Sequence, residues 1–141
     1  WFYTQGRWLP RFSLTGWLVI CAAAMTLRMG LTATGAGVLA VLVFAQMLHA
    51  LTFATHHTVC IALLSHHFPG RLRGRGQALY VVLAYGLPGV LGGLSGGVLS
   101  SAFGLGSVYW ACTLAAALAT FCAWRAWRLQ RAIDAPARPA A

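Results

Sequence analysis

The chain has 141 residues; 60% are hydrophobic, only 8% are charged, and ten arginines stand against a single acid, Asp134, for a formal charge of +9. A soluble domain carries about 25% charged residues and a disordered chain has low hydrophobicity, so both classes are excluded. Nucleic-acid binders are basic but polar, which removes that partner as well, and an all-α integral membrane protein is what remains.

The chain opens on Trp1-Phe2-Tyr3, with no initiator Met and no signal-peptide pattern. The expectation is a piece that starts inside a longer protein, with residues 1–13 as a cytoplasmic loop or interface segment. A bilayer core needs about 20 apolar residues in a helix. Four segments qualify, at about 14–31, 37–65, 76–103 and 107–129, and together they form one membrane domain over 14–129. The second is long enough to tilt. Their connections are Thr32 to Ala36, His66 to Arg75, and Gly104 to Gly106. Residues 130–141, rich in Pro and Ala, are expected to be a disordered cytoplasmic tail.

Four spans place alternate connections on opposite sides. Arg7, Arg11, Arg71, Arg73, Arg75, Arg125, Arg128, Arg131 and Arg138 then share one side, and only Arg28 lies toward the other. The positive-inside rule makes that side cytoplasmic, with both ends of the chain in. Trp8, Trp17, Tyr109, Trp110, Trp124 and Trp127 suit interface belts. Cys21, Cys60, Cys112 and Cys122 sit singly in apolar runs with no CxxC pair, the pattern of small apolar residues rather than of disulfides or a zinc site.

Span two holds the chemistry-bearing side chains. At about 100° per residue, Gln46, His49, Phe53, His56 and Cys60 fall within an arc of about 80°. His49 and His56 are about 10 Å apart along the axis. An ionisable group at membrane depth is costly and usually faces a bundle interior or a water-filled cavity, and histidine changes charge near neutral pH. Gln46, His49, Phe53 and His56 therefore read as a substrate- or proton-binding stripe. The alternative is that the histidines hydrogen-bond neighbouring helices and only hold packing. His57 points away from the arc and ranks below the other two, and Thr52 is expected to bond back to its own helix. All five histidines lie on span two or just past it, with no carboxylate nearby, so neither haem nor a metal site is expected, and no cofactor.

In span three, Gly89, Gly93 and Gly97 form a GxxxGxxxG ladder, with Gly92 and Gly96 as a second row. Glycine lets backbones approach closely where lipid supplies no hydrophobic drive. The ladder is either an interface that slides during a transport cycle or a static packing face. Pro88 is expected to kink the helix. Before it, Phe68-Pro69-Gly70-Arg71-Leu72-Arg73-Gly74-Arg75-Gly76-Gln77-Ala78-Leu79-Tyr80 is a compact basic loop. Its Arg71, Arg73 and Arg75 either mark topology and contact lipid headgroups, or form a cytoplasmic gate by bonding neighbouring helix C-termini. Arg28, about a turn from the outer end of span one, either snorkels to the interface or faces an anionic substrate.

The Gln46–His56 stretch, the Pro-x-Arg-x-Arg-Gly-Arg-Gly-Gln loop and the glycine-rich helix together resemble the C-terminal part of a major facilitator superfamily transporter, and more narrowly the phenylpropionate permease-like branch. The resemblance covers nearly the whole chain. It implies a twelve-helix protein in two halves, with these spans as helices nine to twelve and the N-terminal helices missing from this chain. Span two would then line the central cavity as helix ten, and span three would pack against the opposite half as helix eleven. Residues 5–12 would match the cytoplasmic loop between helices eight and nine, but lack the acid usual there. The reading is a secondary transporter of a small organic solute, such as an aromatic acid, driven by proton symport with alternating access in a bacterial inner membrane. It is not an enzyme. Its partners are lipid, solute, protons and the missing helices. A self-contained four-helix protein with a structural or assembly role is the alternative, and a membrane electron carrier ranks last.

Overall fold

A computed structural model describes residues 2–135. Four helices are long and apolar enough to cross a membrane: α1 (Leu14–Gly35), α2 (Leu39–His67), α3 (Gly70–Phe103) and α4 (Leu105–Asp134). There is no strand among the described residues, so the architecture is all-α. Ahead of α1 the chain makes three short helical turns, Phe2–Thr4, Gln5–Trp8 and Leu9–Arg11.

The helices run further than the apolar pattern suggests, for local reasons. Ser13 caps α1 by accepting from the Gly16 amide at 3.1 Å. At its far end, Thr32 and Thr34 donate to the carbonyls of Arg28 and Gly30 at 3.0 and 2.9 Å, so these residues extend the helix instead of forming a loop. Arg28 therefore stands about two turns from the end of α1, not one. The turn into α2 is tight: a Cβ on Gly35 would lie 2.7 Å from Val41 Cγ1. The basic loop is largely helical. Only Phe68 and Pro69 separate α2 from α3, with Arg71 in a 3-10 turn and Arg73 and Arg75 in the first α-turns. Gly70 (φ +61°) turns the chain there and Gly104 (φ +81°) turns it into α4. The last helix reaches Asp134, so the first five residues of the expected tail are helical. Side-chain pairs four apart support this end: Gln130 donates to Asp134 at 2.9 Å, and the Arg128 and Arg131 guanidinium groups lie over Trp124 and Trp127. Residues 136–141, with the rest of that tail and Arg138, lie outside the described residues.

The tightest contact is the antiparallel pair α1–α4. Small residues let the backbones close: a Cβ on Gly30 would touch Thr113 Cγ2 at 3.7 Å, and one on Gly16 would touch Trp127 Nε1 at 3.5 Å. Between these points the Thr26 and Thr120 hydroxyls meet at 3.0 Å. Helix α2 lies along α1 and buries Ala45, Thr52, Thr55 and Val59. Helix α3 touches α2 near their shared connection and α4 near Gly104, where Ser107 donates to the Leu99 carbonyl at 3.1 Å. The most apolar stretch of α3 has no buried residue.

Alternation puts the start of α1, the end of α2, the start of α3 and the end of α4 at one end of the bundle. The N-terminal turns fold onto this end, where the Trp17 indole donates to the Leu9 carbonyl at 3.0 Å and packs edge-on against Trp8 and Phe12. Trp17 is consequently buried, not part of a lipid-facing belt. Every described arginine except Arg28 lies at this end.

Candidate functional site

Two of the helices are widened by π turns, α2 at Leu51–Thr55 and α3 at Val82–Gly86. The second has a plain cause. Pro88 has no amide hydrogen, and its ring crowds the carbonyl one turn back, so the turn before it opens. The first has no proline. Within it, Thr52 donates to the His49 carbonyl at 3.2 Å, the back-bond expected of it.

The stripe on α2 lies between two contacts. On one side is the face buried against α1; on the other, His57 reaches α3. Gln46, Phe53 and His56 are exposed along the flank between them, and His49 is half-buried. The His49 and Phe53 rings lie 5.6 Å apart, tilted by 41°. His49 Nδ1 is shut off from solvent with no hydrogen-bond partner, as is the hydroxyl of Thr55 in the π turn. An unpaired buried polar atom costs about 1–3 kcal/mol, so His49 presents an unmet valence at membrane depth.

The structure gathers residues that the helical arc did not. The His57 Nδ1 atom lies 3.3 Å from the Tyr85 hydroxyl, which lies 3.2 Å from the Tyr80 hydroxyl. Tyr80 lines one cleft with Cys60, whose Sγ is 3.6 Å from His56 Nε2. His56 and His57, which point apart on their own helix, thus border one cluster with the Cys60 thiol of α2 and two hydroxyls of α3. Tyr80 and Tyr85 are five residues apart, a spacing that diverges on an α-helix, and their rings meet edge-on at 5.5 Å. The sequence signal that could have found this pair is Pro88, because an opened turn upstream of it regroups residues at that spacing.

The glycine ladder is not brought against any helix of this chain. A Cβ on Gly89, Gly92, Gly93 or Gly97 would meet nothing within 4 Å; only Gly96 has a neighbour, Val108 Cγ1 at 3.8 Å. Arg71, Arg73 and Arg75 are all exposed, and none of them bonds a helix C-terminus in this conformation. They sit at the N-terminal end of α3, where the helix dipole disfavours cations, so α3 itself does not hold them in place. Arg28 has only a 3.6 Å contact from Nη1 to Met25 Sδ within its own helix.

These features are an apolar helix pair, a flank with an unmet imidazole nitrogen, and a helix with an open glycine face. Comparison with known proteins finds one family, described as the MFS_1 like family, matching residues 1–111. No curated protein and no solved structure matches the chain.

Proposed function

The chain belongs to the MFS_1 like family, transporter-related membrane proteins, and from that premise we propose that it is the C-terminal part of a secondary active transporter for a small organic solute. In this reading α1 to α4 are helices nine to twelve, within or near the phenylpropionate permease-like branch. The protein lies in a bacterial inner membrane, and the arginine-rich end is cytoplasmic. Solute passes the α2 flank by alternating access, with Phe53 stacking an aromatic ring and His49 and His56 taking solute or proton. The glycine ladder of α3 meets the other half of the transporter as the halves rock.

The observation that carries this reading is His49. Its Nδ1 is buried without a hydrogen-bond partner, while its ring lies beside the exposed Phe53 ring, just ahead of a π turn. The cluster of His56, Cys60, Tyr80, Tyr85 and His57 supplies exchangeable protons between α2 and α3. With Asp134 at the helix end as the sole acid, proton coupling within these helices rests on histidine. In the whole transporter, His49→Ala should abolish proton-coupled uptake across a panel of aromatic acids, sugars and nucleosides. Unchanged uptake with an unchanged proton dependence would refute the role.

A further inference from the structure

At the arginine-rich end, the start of α1 and the end of α4 enclose a groove of about 450 Å³, away from the α2 flank. Arg11 and Ser13 line it from the α1 side, Trp127 and Arg131 from α4, and Val19 and Ile20 lead from it along the helix pair. Both guanidinium groups are exposed, and neither has a carboxylate partner among the described residues. The sole acid, Asp134, already accepts from Gln130. Arg131 lies over the Trp127 ring at 4.8 Å, which fixes its direction without neutralising it.

The groove is also graded in polarity. Ile20 lies about 10 Å along α1 from Ser13, more than the roughly 5–8 Å of one interfacial layer, so the groove runs from headgroup depth into the hydrocarbon. A free phosphate would use only the basic mouth. A phosphate carrying an acyl chain would use the whole length. Basic pockets between helices on one face of a membrane protein are the sites that anionic headgroups occupy.

We propose that this groove binds an anionic phospholipid, with its phosphate between Arg11 and Arg131, its glycerol end at the Ser13 hydroxyl and the Trp127 indole, and an acyl chain along Val19 and Ile20. The site is separate from the path assigned to solute and does not depend on which solute is carried.

The test is native mass spectrometry of the purified whole protein, reading retained phosphatidylglycerol against phosphatidylcholine. The wild type should retain phosphatidylglycerol preferentially. Arg11→Gln and Arg131→Gln should each lower that preference about fivefold, and the pair about thirtyfold. Arg11→Lys with Arg131→Lys should keep most of it. The pair Arg7→Gln and Arg125→Gln removes the same charge outside the groove and should change little. Equal loss in that control would mean bulk charge attraction and would overturn the site. So would no loss in the groove pair, the result expected if other helices of the protein cover it. Inorganic phosphate at millimolar concentration should not displace the lipid; displacement would assign the site to a free phosphate and overturn the lipid.

Discussion

Gly76 sits where α3 leaves the basic segment, and Phe68 lies across it. A Cβ at Gly76 would stand 2.8 Å from Phe68 Cγ, 3.0 Å from Cδ2 and 3.1 Å from Cβ. Carbon pairs rest at about 3.5–4.0 Å. Because the crowded atoms include Cβ and Cγ, rotating the ring does not relieve the clash; χ1 or the connection itself has to move. Overpacking of this kind costs about 1–3 kcal/mol. Against it, alanine is favoured over glycine in a helix by about 1 kcal/mol. Gly76→Ala should therefore destabilise by about 0–2 kcal/mol. Gly74, two residues earlier, has nothing within 4 Å of its Cβ position, so Gly74→Ala keeps the gain without the clash. The difference between the two variants, about 1–3 kcal/mol, isolates the contact. Unfolding of the purified protein in micelles, followed by circular dichroism, measures it. Adding Phe68→Ala should shrink the Gly76→Ala penalty. Equal stability of the Gly76 and Gly74 variants would refute the close packing of Phe68, and with it the account of how α2 and α3 are joined.

Three other outcomes follow from the same contacts. Gly93→Leu should leave these four helices folded and inserted, since its side chain meets nothing here, yet block uptake by the whole transporter; normal uptake would remove the moving interface assigned to the ladder. Tyr85→Phe cuts the hydroxyl between His57 and Tyr80, so proton-driven uptake should slow while solute exchange without a proton gradient persists; equal loss of both would make Tyr85 a packing residue. Thr26→Val should cost about 0.6 kcal/mol in the same unfolding assay. Adding Thr120→Val should cost little more, because one hydroxyl donates across while the other keeps its hydrogen on its own helix and accepts, so either change removes the same bond; an additive loss would show that the two do not act as a pair.

The span count was legible because twenty-residue apolar runs have few other uses, and the arginine positions checked it independently. The helix ends were not. Thr32 and Thr34 read as loop residues by composition but bond back into α1, and Gln130 to Asp134 read as tail but pair along α4. The histidine arc was visible from periodicity alone. The partners of those histidines were not, because they depend on how α2 and α3 are set against each other, which no single-helix pattern encodes. His57 is the clearest case: on its own helix it points away from the stripe, and across the interface it meets Tyr85. The glycine ladder shows the converse. Its spacing advertises a close partner, and the helices of this chain do not provide one.

The two π turns lie near one level, since Tyr85 in the one bonds His57, two residues past the other. Membrane helices usually fray from their ends and keep their centres closed, because lipid offers the backbone no replacement partner. Here the least tightly wound backbone of α2 and α3 lies inward from the tips and at a shared level. In deuterated solvent the amides around Thr55 and Tyr85 should exchange ahead of those in the flanking turns. The pair would then open from within, as two rods scored at the same height bend together.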